Sequence, residues 1–183
     1  MEDGKLRILE VIDGFTGTDG EPRGDGERYV LKSMWLMMMS EFEAVIKTKV
    51  ENYIDVVKQR DINDIHVCLL TRNFFGDKKE ALTLNRIISF YKKNPTQISY
   101  ANFTRDRVPK YKSEAVIKLF NNLGIFFDEE ESISISFLDG IAQTRDAIAH
   151  GDTNVAITRS ELQNNITILS DIMITLQGKL DAH

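Results

Sequence analysis

Arg145 and His150 are the two side chains whose types and spacing best suit catalysis. They are five positions apart, at the end of a predicted helix that a glycine follows. An arginine stays charged and can hold a phosphate by two hydrogen bonds. A histidine titrates near neutrality, and a helix C-terminus favours its protonated form, so it can act as acid or base. Together they suit cleavage of RNA by attack of a 2′-hydroxyl on the adjacent phosphate, a reaction that needs no metal.

Residues 133–150 are predicted to form the helix that carries this pair. Ser134 or Ser136 is expected to cap its start, and Gly151 to end it in the left-handed conformation. Arg145 falls among the apolar positions, so it needs a carboxylate or phosphate partner or access to water. Those apolar positions recur at three- and four-residue steps: Ile133, Phe137, Leu138, Ile141, Ala142, Ile148 and Ala149.

The spacing of the pair leaves its geometry open. Five residues at about 100° each place the two side chains roughly 140° apart on an ideal helix. They converge if the helix unwinds at Gly151, or if two subunits each contribute a pair to one cleft. The plainer alternative is a chance spacing in which His150 only caps the helix.

Residues 138–151 resemble the signature of the HEPN superfamily, which is arginine, a polar residue, three or four more residues and then histidine. Arg145, Asp146 and His150 match it in that order. The Ala-His-Gly ending with a long helix after it is similar to stand-alone bacterial HEPN proteins of the RiboL-PSP and MAE type. The polar position is commonly Asn in that family. The charge of Asp146 can pair with Arg145 and compete with phosphate.

The resemblance implies a helical bundle that forms a homodimer and brings two arginine–histidine motifs together. It implies a metal-independent endoribonuclease without a cofactor, of a toxin–antitoxin or anti-phage system, with RNA as substrate and a cognate antitoxin or defence protein as partner. In this role Arg145 binds the scissile phosphate, His150 transfers protons and Asp146 positions one of them. The alternative is a non-catalytic module that binds RNA, a nucleotide or a partner protein, as some HEPN domains do.

Composition bounds the class of protein. With 42% hydrophobic and 28% charged residues, the 183-residue chain is typical of a soluble, one-domain protein. The longest apolar block is six residues, residues 34–39, and the acidic start is no signal peptide, so we expect a cytoplasmic protein without a membrane span. A single cysteine, Cys68, excludes an intrachain disulfide. His66, His150 and His183 show no metal-ligand spacing, so no metal is predicted.

Charge is distributed unevenly along the chain. The net charge is −5, yet residues 86–118 carry eight basic and two acidic side chains, or +6, and the remainder carries −11. Part of that segment, residues 94–112, is predicted to be an irregular loop that contacts RNA. Its aromatic side chains are expected to stack on bases, and its basic side chains to bind phosphates. The alternative is an insertion loop held by its aromatics. The predicted RNA-binding residues are Arg105, Arg107, Lys110, Tyr111 and Lys112.

The pattern predicts an all-α, HEPN-like antiparallel bundle of four to six helices over residues 28–183. Residues 1–27 are expected to be an irregular N-terminal extension and a glycine-rich loop, within which the apolar run 5–12 fits a strand or a helix equally. The first long helix is predicted over residues 28–59. Its seam, and the methionine cluster within it, should form core: Leu31, Trp35, Met37, Met38, Met39, Phe42, Val45, Tyr53 and Val56.

Further helices are predicted over residues 61–70, 79–93 and 113–122, with Ser113 as a cap and Gly124 as a stop. Thr158 and Glu161 have the spacing of a capping box for the last helix. That helix has the clearest bundle seam: Leu162, Ile166, Leu169, Met173, Leu176 and Leu180. Three glutamates on the first long helix are candidates to orient Arg145, although exposed glutamates are ordinary on helices: Glu41, Glu43 and Glu51.

Overall fold

The computed structural model describes residues 2–17, 22–60, 89, 100 and 112–183. In these residues there is no strand, and five helices are present: α1 (Glu2–Phe15), α2 (Asp25–Val57), α3 (Ser113–Asn122), α4 (Glu129–Ala149) and α5 (Arg159–Asp181). The all-α prediction is confirmed. The helix predicted over residues 61–70 lies outside the described residues. So does the one predicted over residues 79–93, apart from residue 89, which is helical. None of the five helices is long and apolar enough to cross a membrane.

The central helix is α2, because α1, α4 and α5 all pack against it. The predicted seam from Leu31 to Phe42 is buried, and Met38 and Met39 are core residues as expected. Val56, however, is 54% exposed. Val57 takes its place because it continues the three- and four-residue steps of the buried face. That face comprises Leu31, Trp35, Met38, Met39, Phe42, Ile46, Val50, Tyr53, Ile54 and Val57.

The motif helix α4 begins four residues earlier than predicted, and neither serine caps it. Asp128 is the N-cap: its side chain accepts a hydrogen bond from the Glu131 N–H at 2.9 Å. The Glu131 carboxylate accepts one in return from the Asp128 N–H, also at 2.9 Å. This capping box accounts for the acidic run before the apolar residues, since carboxylates also interact favourably with the helix N-terminus.

The buried face of α4 agrees with the prediction in part. Leu138, Ile141 and Ala142 are buried as predicted, and Ile135 is buried with them. Ile133 and Phe137, however, are each 57% exposed. Arg145 lies seven residues after Leu138, so two turns later it continues this inward face. The sequence of α4 therefore turns a cation towards the side that packs on α2.

A side chain of α4 holds the start of α3. The N-cap position is Lys112, which makes no side-chain capping bond, so the predicted cap at Ser113 is wrong. The Asp139 carboxylate instead accepts hydrogen bonds from the Ser113 N–H at 2.8 Å and the Ser113 hydroxyl at 2.7 Å. A long-range carboxylate thus satisfies a backbone N–H that helix starts leave unpaired. The α3 helix ends as predicted, at Gly124, where φ is +79°.

The predicted seam of α5 is confirmed in full, with all six positions buried and Ile172 added. The Thr158 hydroxyl accepts a hydrogen bond from the Glu161 N–H at 3.1 Å, which is one of the two bonds of the predicted capping box. Near the other end of the helix, the Lys179 ammonium lies 2.7 Å from the Glu131 carboxylate of α4. These contacts and the short 150–158 link make α4 and α5 antiparallel neighbours.

Residues 2–15 form a helix, α1, so this part of the predicted extension is regular. Its Ile8 and Ile12 are buried in the core that α2 and α5 share. Arg159, at the start of α5, binds the Asp13 carboxylate and the Gly17 carbonyl. The division of the chain at residue 27 stays a prediction.

Candidate functional site at the end of the motif helix

Arg145 and Asp146 form an ion pair in the last two turns of α4. One guanidinium nitrogen, Nη1, lies 3.0 Å from Asp146 Oδ1. The Arg145 side chain is 40% exposed and the Asp146 side chain 31%. The cation therefore has the carboxylate partner that its inward position demands, and part of it still meets solvent. A phosphate that approached this guanidinium would compete with Asp146 for it.

His150 is the C-cap residue of α4 and is exposed. The backbone N–H of His150 still donates to the Asp146 carbonyl at 2.9 Å, and the φ and ψ of His150 are −84° and 3°. The chain turns only at Gly151, where φ is +78°. There the Gly151 N–H donates to the Ile148 carbonyl and the Asp152 N–H to the Ala147 carbonyl, each at 3.0 Å, which is a Schellman motif.

This ending decides how the two motif side chains are presented. Because His150 keeps a helical hydrogen bond, the helix does not unwind before it. The spacing of five residues therefore keeps Arg145 and His150 about 140° apart around the axis. Arg145 continues the face that packs on α2, and the exposed His150 lies on another side of the helix. Of the two ways to bring them together, unwinding at the glycine gains no support from this geometry.

A second carboxylate belongs to the same charge cluster. The pKa of the Glu43 carboxyl is raised, chiefly by burial. The Arg145 guanidinium lowers this pKa in part, and the Asp146 carboxylate adds to the rise. Glu43, one of the three glutamates considered as partners for Arg145, is therefore close enough to interact electrostatically with it. Glu41 lies elsewhere, beside Gly4 of α1. The sequence alone offered no signal that separated Glu43 from its neighbours.

Two contacts from α2 fix α4 at this end. The Trp35 indole N–H donates to the Ile141 carbonyl at 3.2 Å, inside the core and one turn before Arg145. The Lys32 ammonium donates to the Asp152 carbonyl at 3.0 Å, just beyond the helix end. The motif is thus held from both sides by one rigid helix, which favours a fixed geometry for the arginine.

Lys112 is the one predicted RNA-binding residue that the structure describes. It is exposed and borders an open cleft with Ser113, Asp139 and Gln143. Asp139 is six residues before Arg145, about 9 Å along the helix axis. The structure therefore puts Lys112 beside the motif helix, at a cleft that precedes the motif along the helix. The other four lie outside the described residues: Arg105, Arg107, Lys110 and Tyr111.

No group of three His, Cys, Asp or Glu side chains is arranged as metal ligands in the part of the chain that the structure describes. His66 and Cys68 lie outside that part. The ionisable side chains described at the end of α4 are a guanidinium, two carboxylates and an imidazole.

An all-α bundle with an arginine–histidine motif at the end of one helix defines the class of protein. The RiboL-PSP-HEPN family model matches residues 5–182, and this chain belongs to that family. The match includes α1 as well as the motif helix. No curated protein and no solved structure gives a significant match. The resemblance carried by Arg145, Asp146 and His150 is thereby confirmed as family membership.

Proposed function

We propose that this chain is a metal-independent endoribonuclease that cleaves single-stranded RNA as a homodimer. The observation that carries the proposal is the placement of a partly exposed Arg145 and an exposed His150 at the end of α4. It gains weight because the chain belongs to the RiboL-PSP-HEPN family, whose members include ribonucleases. A cation that binds phosphate and a group that moves protons are the two requirements of this reaction.

In the proposed reaction, the Arg145 guanidinium holds the phosphate that is to be cleaved. A neutral His150 imidazole takes the proton of the 2′-hydroxyl, and the 2′-oxygen attacks the phosphorus. The bond from phosphorus to the 5′-oxygen breaks, and a protonated imidazole gives its proton to that oxygen. The products are a 2′,3′-cyclic phosphate and a 5′-hydroxyl end. Asp146 orients one of the proton-carrying groups.

The separation of about 140° between the two side chains supports the proposed homodimer. One phosphate on one helix cannot meet both of them in a narrow site. If two copies face each other at the ends of their α4 helices, Arg145 of each copy and His150 of the other can share a cleft. Two histidines in one cleft also supply a base and an acid at once.

The test compares cleavage of single-stranded RNA by the wild type, Arg145→Ala and His150→Ala, all in EDTA. We expect His150→Ala to reduce the rate by about 10²- to 10⁴-fold, which is typical for loss of an acid–base group. We expect Arg145→Ala to reduce it by about 10²- to 10³-fold, because it removes a charge that stabilises the transition state. His183→Ala is the matched control, because His183 is also exposed but lies at the end of the chain. Product ends are assigned by their reactivity to phosphatase and kinase. Equal rates in the wild type and His150→Ala would end the proposal.

The second candidate is a non-catalytic helical module that binds RNA, a nucleotide or a protein. The Arg145–Asp146 ion pair favours it, because the guanidinium already has a partner at 3.0 Å. In that case Arg145→Ala leaves a carboxylate unpaired and lowers the melting temperature, while the wild type has no activity to lose. Thermal unfolding of this variant, beside the cleavage assay, separates the two candidates.

The proposed biological role is that of a toxin or anti-phage component in the cytoplasm, restrained by a cognate antitoxin or defence partner. We expect induced expression of the wild type to arrest growth and that of His150→Ala to be tolerated at equal protein level. Arrest by both variants would speak against RNA cleavage as the cause. RNA contact by Lys112, and by the basic residues before it, stays a prediction.

A further inference from the structure

The start of α2 lies beside the turn that ends the motif helix. The evidence is the hydrogen bond from the Lys32 ammonium to the Asp152 carbonyl, at 3.0 Å and exposed to solvent. Asp152 is two residues after His150. An ammonium group has three protons, and this bond uses one of them. Lys32 therefore brings a positive charge, with two further donors, to the border of the arginine–histidine site.

An aromatic ring lies next to this lysine. Tyr29 is three residues before Lys32, which makes the two side chains neighbours on the helix surface. The Tyr29 side chain is 73% exposed. Leaving a large ring in water forgoes the stabilisation that its burial would give. Within the described part of the chain the core makes no use of this ring, so it is available to a ligand.

A second cation completes the cluster. Arg28 is exposed and precedes Lys32 by four residues, one turn away on the same side of the helix. The nearby carboxylate of Glu27 is held by the N–H groups of Gly17 and Arg23, at 2.7 Å each. These bonds lower the pKa of Glu27, so it stays charged, but they direct it towards the loop before α2. Arg28, Tyr29 and Lys32 thus place two cations and an aromatic ring at the edge of the site, with the carboxylate of Asp25 one turn before Arg28.

We propose that Arg28, Tyr29 and Lys32 form a binding subsite for an unpaired nucleotide of RNA that flanks the bond to be cleaved. The proposal rests on the proposed function and names the part of the substrate that this surface holds. The base stacks on the Tyr29 ring, and Lys32 and Arg28 bind phosphates of the same strand. Stacking on aromatic rings beside basic side chains is how proteins bind single strands without strong sequence preference.

The test measures binding of a fluorescent single-stranded RNA to the full chain, in a His150→Ala background that prevents cleavage. We expect Tyr29→Ala to weaken binding about tenfold and Tyr29→Phe to preserve it, as base–aromatic stacking predicts. Lys32→Gln should reduce the salt dependence of binding by about one phosphate contact. Phe126→Ala, which removes a ring that is 66% exposed elsewhere, is the matched aromatic control. Lys47→Gln is the matched lysine control on α2.

The outcomes separate this proposal from the proposed function. If the wild type cleaves RNA while Tyr29→Ala binds and cleaves it as well as Phe126→Ala does, the subsite is wrong and the nuclease stands. If the wild type binds RNA through Tyr29 but cleaves none, the nuclease is wrong. Binding of RNA by this surface then stands, but its place beside a cleaved bond is overturned. If Tyr29→Ala changes the mass of the protein in sedimentation and leaves RNA affinity unchanged, the surface is a protein interface and the subsite is overturned. A wild type that binds no RNA also overturns it.

Discussion

Replacement of Asp146 by asparagine tests the view that this carboxylate competes with phosphate for Arg145. Asparagine is the common residue at this position among HEPN proteins that the motif resembles, and it keeps the shape of the side chain. The substitution removes one negative charge, 3.0 Å from the guanidinium. We expect Asp146→Asn to bind RNA more tightly than the wild type and to lose little stability.

The magnitude follows from the exposure of the pair. With side chains 40% and 31% exposed, the ion pair stabilises the fold by at most about 1 kcal/mol. In a chain of 183 residues this corresponds to a fall of less than about 4 °C in melting temperature. A phosphate held by Arg145 would lie roughly 6 Å from Asp146, where the repulsion is about 0.7 to 2.8 kcal/mol for effective dielectric constants of about 80 to 20. We therefore expect RNA affinity to rise about tenfold, within a range of about 3- to 100-fold.

The assay is RNA binding by fluorescence anisotropy in a His150→Ala background, with the KM of the active protein as a second readout. Asp171→Asn is the matched control, because it removes the same charge from an exposed position on α5. Thermal unfolding is recorded for both variants. If RNA affinity is unchanged or reduced in Asp146→Asn, Arg145 does not bind the phosphate. A loss of several kcal/mol in stability would instead mark the pair as structural.

Three further predictions concern stability. Gly151→Ala should lower the free energy of unfolding by about 1 kcal/mol, because φ is +78° there, and Gly151→Asn should lower it less. Equal melting temperatures for glycine and alanine would contradict the left-handed turn. Asp139→Ala should lower the free energy of unfolding by about 1 to 2 kcal/mol, because α3 loses both hydrogen bonds to Ser113. Asp171→Ala should lower it little, and urea unfolding of the two variants compares them. Glu43→Gln tests the raised pKa of Glu43, which makes its ionisation destabilising. Since the folded pKa lies above the unfolded value of 4.5, wild-type stability falls as pH rises through that interval. Below about pH 4.5, the free energy of unfolding of Glu43→Gln should therefore equal that of the wild type or be smaller. Above that pH the difference should shift in favour of the variant, by under about 1 kcal/mol for this partly exposed group. A pH-independent difference in urea unfolding would refute the assignment.

The sequence predicted those elements whose signals are local. The seam of α5 repeats at regular steps, and all of its positions are buried. Gly124 and Gly151 end helices because only a glycine adopts positive φ without strain. The arginine–histidine motif is likewise local, and the family match agrees with it. Patterns contained within a few turns of one helix can be read without knowledge of the tertiary packing.

Features that depend on distant residues were not predictable in this way. Asp139 caps a helix that begins 26 residues earlier, so its role is visible only once α3 and α4 have packed. Glu43 resembles any glutamate on a helix until α4 brings Arg145 and Asp146 close to it. Ile133 and Phe137 fit the apolar seam by spacing, but the packing of α4 buries Ile135 and leaves those two exposed. The orientation of a helix about its axis is a property of its neighbours.

The ion pair between Lys179 and Glu131 fixes the distance between the C-terminal end of α5 and the motif at the other end of α4. It ties the end of α5 to the start of α4, and α4 is 21 residues long, or about 30 Å. Asp181 therefore lies about 30 Å from His150. A spin label can be attached to a cysteine introduced at position 181 in a Cys68→Ser background. In two copies joined at their His150 ends, the two labels would lie about 60 Å apart. Pulsed electron paramagnetic resonance can measure this distance. Side-by-side association of the copies in the same direction would bring the labels much closer, so one distance distribution distinguishes the two assemblies.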